Sequence, residues 1–350
     1  MESATPKASS VQGGSASNNA AEASEAVAKD YTVTNNQVEG VDEADIIKTD
    51  GKYVYVLPRS GDSLVISEVF PTASARIMSR VNLTQYNLRA RDAMLDGNTL
   101  VLLGHSYVRN AQGSLRLRMA AVHLWDITNR SEPVLRTGYE VEGSYLTARV
   151  SEGFAYALII TRPVYHYGPL RRQESVSKHA SGGSESEARL RGHAPLARQL
   201  TRQQADLTQR ISSPVAPVCA CEEVTYVENL GVARSWVTVV AVATVGEAQW
   251  KTVTHAGRGE SVVMSTRNLY VAGANWDYGE SVRPQDGQFT AVLEFALGKG
   301  NPSFTRLLTV PGTIVNQFAM DEYQGHFRIA TTFGGLLVCF SMLPCCHGFF

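Results

Sequence analysis

One short unit recurs along this chain of 350 residues. Repetition at a period of tens of residues constrains a fold more than any single motif does. The unit is a tight turn followed by a strand-forming run. It reads Asp50-Gly51-Lys52-Tyr53-Val54-Tyr55-Val56, then Asp96-Gly97-Asn98-Thr99-Leu100-Val101-Leu102, then Glu152-Gly153-Phe154-Ala155-Tyr156-Ala157-Leu158. A fourth copy is Thr266-Arg267-Asn268-Leu269-Tyr270-Val271-Ala272, and a fifth is Gln324-Gly325-His326-Phe327-Arg328-Ile329-Ala330. Gly and Asp at the head suit a hairpin turn, and the β-branched and aromatic residues behind them suit a pleated strand.

A second apolar run follows each of the first four copies, at Ser63 to Val69, Ala120 to Ile127, Trp236 to Val245 and Phe289 to Leu297. Polar turns accompany these runs, most clearly Asp126 to Pro133, where Pro133 is barred from a central strand. Two hairpins per unit make a four-stranded antiparallel sheet, the blade of a β-propeller. Gly51 to Gly97 is 46 residues, Gly97 to Gly153 is 56, and Asn268 to Gly325 is 57. Gly153 to Asn268, at 115, breaks the period. The Ser-, Arg- and Gln-rich stretch 162–217 accounts for the break as an insertion in the third blade. It reads as disordered or partly helical, with Leu196, Leu200, Leu207 and Ile211 on one helix face. The expected fold is therefore all-β: a propeller of four blades plus the start of a fifth, its ring incomplete. A β-sandwich is the other all-β solution, and the regular two-hairpin unit disfavours it. The domain division is 1–30 disordered, 31–340 partial propeller and 341–350 an atypical tail.

Composition narrows the function. The formal net charge is −1, so the whole chain carries no electrostatic footprint for nucleic acid. No run approaches the roughly 18 apolar residues of a membrane-spanning helix. Residues 1–30 are rich in Ala, Ser, Asn and Glu and lack the apolar stretch of a signal peptide. The five cysteines (Cys219, Cys221, Cys339, Cys345, Cys346) are too unevenly placed for a disulfide framework. No nucleophile elbow, P-loop, zinc-protease helix or dinucleotide fingerprint occurs.

Two long runs carry a specific resemblance. Gln37-Val38-Glu39-Gly40-Val41-Asp42-Glu43-Ala44-Asp45-Ile46-Ile47-Lys48-Thr49-Asp50-Gly51 resembles the opening signature of a secreted bacterial and archaeal β-propeller-domain family. Val310-Pro311-Gly312-Thr313-Ile314-Val315-Asn316-Gln317-Phe318-Ala319-Met320-Asp321-Glu322-Tyr323 is similar to a motif from the middle of that domain. The resemblance implies an extracellular or cell-surface location for the complete protein, with further blades after Thr332. It implies no activity. Gly104-His105 with Trp125-Asp126 matches a WD40 repeat only once, which leaves an intracellular WD40-like scaffold as a disfavoured alternative.

Candidate sites remain. Asp42, Glu43, Asp45 and Asp50 cluster near the start, and Asp321 and Glu322 precede the fifth strand. Hard oxygen ligands suit Ca²⁺, but carboxylates in turns more often cap backbone N–H groups. Trp276, Asp277 and Tyr278 are candidates for a ligand-binding loop. The expected function is a non-enzymatic module binding a protein or glycan, with self-association through open blade edges. The alternative is an enzyme or metal-dependent catalyst using carboxylates at the propeller channel.

Overall fold

Tyr53, Val54, Tyr55 and Val56 show how the repeat becomes structure. Successive strand side chains point to opposite faces, and here both faces are apolar, the pattern of a sheet packed on both sides. The computed structural model describes residues 37–38, 40–109, 116–162, 194–201, 215–226, 235–257, 259–274, 289–333 and 336–342. A two-residue strand, β1 (Asp42–Glu43), precedes the first sheet, which comprises β2 (Ile47–Thr49), β3 (Tyr53–Val56), β4 (Ser63–Glu68) and β5 (Arg76–Asn82). The second comprises β6 (Arg89–Asp96), β7 (Thr99–Arg109), β8 (Arg116–Asp126) and β9 (Val134–Glu142). The third opens with β10 (Ser144–Ser151) and β11 (Phe154–Thr161). The chain then leaves it to form β12 (Leu196–Thr201) and β13 (Ala216–Pro217), and returns for β14 (Trp236–Ala243) and β15 (Trp250–Ala256). The fourth comprises β16 (Ser261–Met264), β17 (Asn268–Ala274), β18 (Phe289–Ala296) and β19 (Ser303–Pro311). The fifth comprises β20 (Met320–Tyr323), β21 (His326–Phe333) and β22 (Leu336–Met342).

Within each sheet the strands lie in chain order and pair antiparallel, as propeller blades do. The buried apolar residues form four cores among the described residues, one between each pair of successive blades. Tyr55, Leu64 and Ile66 of blade 1 meet Leu100, Leu102 and Trp125 of blade 2. Val101, Leu103 and Val122 of blade 2 meet Ala157, Ile159 and Val240 of blade 3. Leu158 and Val239 then face Val271 and Phe295, while Tyr270 and Val292 face Phe327 and Ile329. Among the described residues no sheet joins blade 5 to blade 1. Register places Ile47, Val54, Val56, Val65 and Ile77 together on the outward face of blade 1. Ile47 and Ile77 there are 49% and 50% exposed.

One expectation needs correction. Leu196 and Leu200 are strand residues, not one face of a helix, because β12 pairs antiparallel with β9. Leu207 and Ile211 lie outside the described residues. An open sheet edge offers a row of unpaired N–H and C=O groups, and satisfying them outweighs weak local propensity. β13 pairs beyond β12, and Thr225 then bridges His255 on the outer strand of blade 3. The insertion thus covers the outer edge of blade 2, and the stretch that follows it touches that of blade 3. The start of the fifth blade extends over three strands among the described residues. Leu336–Met342 pair with β21 from Phe333↔Leu336 to Phe327↔Met342.

Candidate functional site

The acidic opening segment lies along the inner edges of the blades. β1 pairs antiparallel with β10, setting Asp42 opposite Val150 and Glu43 opposite Arg149. Asp45 exchanges two backbone hydrogen bonds with Ala93 of blade 2: its N–H donates at 3.0 Å and its carbonyl accepts at 2.7 Å. Lys48 of β2 is buried, and its Nζ donates to Asp42 Oδ1 at 2.7 Å and to the Glu43 carbonyl at 2.5 Å. Arg149, also buried, sets Nε 3.3 Å from Glu43 Oε1 and donates through Nη1 to Thr147 Oγ1 and the Ala148 carbonyl. Each buried cation thus has a carboxylate partner and further acceptors, which a charge out of water requires. Asp45 Oδ1 accepts from the Ile46 N–H at 2.6 Å. Near it, burial pushes the Asp92 carboxyl above its usual range, opposed by the Tyr145 hydroxyl and Arg91 and reinforced by Asp45.

The remaining candidates separate from this group. Asp50 caps its own turn, accepting from the Lys52 and Tyr53 N–H groups at 3.1 and 2.7 Å. Its other oxygen accepts from Tyr55 Oη at 2.9 Å and from Arg130 of blade 2 at 3.3 Å. Burial chiefly, with the Asp50 charge adding, drives the Tyr55 hydroxyl far above its ordinary value. Asp321 pairs with Arg328 on the exposed side of blade 5. Its neighbour Glu322 points the opposite way, as strand alternation dictates, and accepts from Ser265, Asn268 and Tyr270 of blade 4 at 2.8, 3.1 and 3.0 Å. Asp50 therefore ties blade 1 to blade 2 through Arg130, and Glu322 ties blade 5 to blade 4 through Ser265, Asn268 and Tyr270. The structure gathers Asp42, Glu43 and Asp45 and leaves Asp50, Asp321 and Glu322 at separate junctions. Among the described residues, no three His, Cys, Asp or Glu side chains group as a metal ion would need. Trp276, Asp277 and Tyr278 lie outside the described residues.

Sequence reasoning missed a buried polar group in blade 2. Glu140 on β9 accepts from Arg198 on β12 at 2.7 Å, and His123 Nε2 on β8 lies 3.7 Å from its other oxygen. Burial acts to raise the Glu140 carboxyl, yet His123, Arg198 and Ser106 together hold it below its ordinary value. Gly138 makes room, since a Cβ there would sit 2.9 Å from the His123 ring. Alternation on β7 to β9 could have placed Ser106, His123 and Glu140 on one face, but Arg198 belongs to the insertion and carried no signal. Gly104 has a local reason as well: a Cβ would lie 2.0 Å from the Arg89 carbonyl, beside the bulge in β6. Trp125 is a core residue packed edge-on against Tyr86.

The five meander sheets, stacked face to face in chain order, agree with a comparison of the sequence against family models. The model for the beta propeller domain matches residues 31–342. This chain belongs to the β-propeller domain family. As a curated relative, this propeller matches an uncharacterized protein of Methanocaldococcus jannaschii, 24% identical over 129 residues. The match takes in 37% of the chain and spans only 17% of that relative's length. Among solved structures, the propeller overlaps a Bacteroides uniformis protein described as a candidate 6-phosphogluconolactonase. Identity there is 8% and the TM-score 0.26, over 90% of this chain and 88% of the other. Dipeptidyl peptidase 4 of Porphyromonas gingivalis overlaps 85% of this chain and 45% of its own at 7% identity and a TM-score of 0.25.

Proposed function

We propose that this propeller is a non-catalytic binding module of a secreted or surface protein, and that it meets a protein or glycan on one of its two faces. The supporting observation is the asymmetry of its connections. First-to-second strand turns are short throughout, as at 97–98, 152–153 and 324–325. The two longest connections, 162–235 and 275–288, both run from a second strand to a third. In an antiparallel meander such connections emerge on the same face as the links between blades. Val315 and Phe318, in the link from blade 4 to blade 5, are 79% and 72% exposed. Long loops on a rigid scaffold are where propellers and other sheet folds place recognition. The carboxylates support the same reading, because Asp42, Glu43, Asp50 and Glu322 are each occupied in holding blades or turns.

The test is an array of defined oligosaccharides and peptides, run beside a panel of chromogenic glycoside, ester and peptide substrates. Saturable binding that weakens with Phe318→Ala and Val315→Ser, without turnover, is the expected result. Turnover that disappears with Asp45→Asn would replace this reading with the carboxylate-catalyst one. A second reading concerns the outward face of blade 1, where half-exposed Ile47 and Ile77 favour self-association. Light scattering expects a dimer or larger species that reverts to monomer in Ile77→Asp.

A further inference from the structure

An open array of repeats is held by nearest-neighbour interfaces, so its end repeats fray and its unfolding divides into steps. The four cores between successive blades are interfaces of this kind. The described residues of 37–48 do something different. Gln37 Nε2 donates to the Gln317 and Met320 carbonyls at 3.4 and 3.0 Å, where the chain enters blade 5. Val38 packs against the core between blades 3 and 4, and Val41 is buried within it at 2% exposure. Ser151 Oγ of blade 3 donates to the Gly40 carbonyl at 3.2 Å, and β1 extends the inner edge of the same blade. Asp45 is bonded to blade 2 in both directions. Lys48, within blade 1, reaches back to Asp42 and Glu43 and fixes the fold of the segment on itself.

We propose that this segment is a clasp that couples blades which are not neighbours, so that blades 1 and 5 do not open ahead of the middle of the array. It supplies what a nearest-neighbour chain lacks: direct ties from the start of blade 1 to blades 2, 3 and 5. Its contacts are polar at the ends and apolar at Val41, so a single substitution at Val41 removes the apolar anchor and places a charge in the core between blades 3 and 4. The clasp also fills the inner edge of β10 with the chain's own strand.

Native-state hydrogen exchange of the full chain, read by mass spectrometry, tests this. In the wild type, peptides from β3 and β21 exchange with the same opening free energy as peptides from β8 and β14. In Val41→Asp, β3 and β21 exchange faster than β8 and β14 by about ten-fold or more, the signature of separate opening units. Val240→Ala, in the core between blades 2 and 3, serves as the comparison and accelerates all four together. Equal acceleration of all four in Val41→Asp would overturn the clasp. Should that variant fail to fold, Ala44→Pro removes the Ala44 N–H bond to the Ala148 carbonyl and disturbs β1 while leaving Val41 in place, and must give the same split.

Discussion

Asp42, Glu43 and Asp45 on the one hand, and Asp321 and Glu322 on the other, are alike as stretches of sequence and unlike as structure. In the first group Asp42 and Glu43 lie at the inner edge of the blades and partner the buried cations Lys48 and Arg149, while Asp45 is exposed and binds blade 2 through its main chain. The second group straddles one strand. Asp321 points to water beside Arg328, and Glu322 points to the blade 4 interface. Position relative to the sheet, and not residue type, sets what an acid contributes. An exposed pair is weak because water screens it and flexible side chains lose freedom in forming it. A buried cation that loses its partner keeps the full cost of desolvation.

The largest effect is therefore expected at Glu43. Glu43→Ala strands Arg149 and should lower the unfolding free energy by about 3 kcal/mol in urea titrations at neutral pH. A loss below about 1 kcal/mol would show that Thr147 and the Ala148 carbonyl suffice for Arg149, and the two regions would then differ less than their burial suggests. The intermediate effect is expected at Glu322. Glu322→Ala leaves Ser265, Asn268 and Tyr270 without their common acceptor and should cost about 2 kcal/mol, the scale of losing hydrogen bonds to a charged group. Asp321→Ala, one residue away, should leave the midpoint unchanged. Comparable losses in the two would contradict the opposite orientations of these side chains.

The sequence carried the blades because their signal is local. Turn chemistry at Asp50-Gly51, Asp96-Gly97 and Gln324-Gly325, followed by strand-forming residues, specifies a hairpin whatever surrounds it. The partners of the acids were not legible, since Glu43 meets Arg149 and Glu322 meets Tyr270 only after several blades have stacked. For β12 the failure has the opposite origin. Leu196 and Leu200 are spaced four apart and fit a helix face, whereas the edge of β9 that captures them is fixed by another blade. Asp45 falls between these cases: its acidic run marked it, but its use of main-chain atoms to bind Ala93 could come from any residue there.

The smallest effect, and the one that most sharpens the contrast, concerns Asp92. Its carboxyl sits beside the clasp, and burial raises its pKa above the ordinary 3.8. The unfolded chain then releases this proton at lower pH than the folded one. Between the two values the folded state binds more protons, so stability falls as pH rises through that window. Above it the penalty of a buried carboxylate is complete. Asp92→Asn removes the titration and should raise the denaturation midpoint slightly at neutral pH, with the gain closing as the pH falls to about 3.8 and below. Paired titrations from about pH 3 to about pH 7 would show it. If the variant instead loses stability at neutral pH, Arg91 and Arg149 draw more from the Asp92 charge than burial takes away. Asp92 would then belong with Glu43 among the acids that hold the centre, and the inner edge would be a continuous network in place of two ion pairs flanked by a destabilising carboxylate.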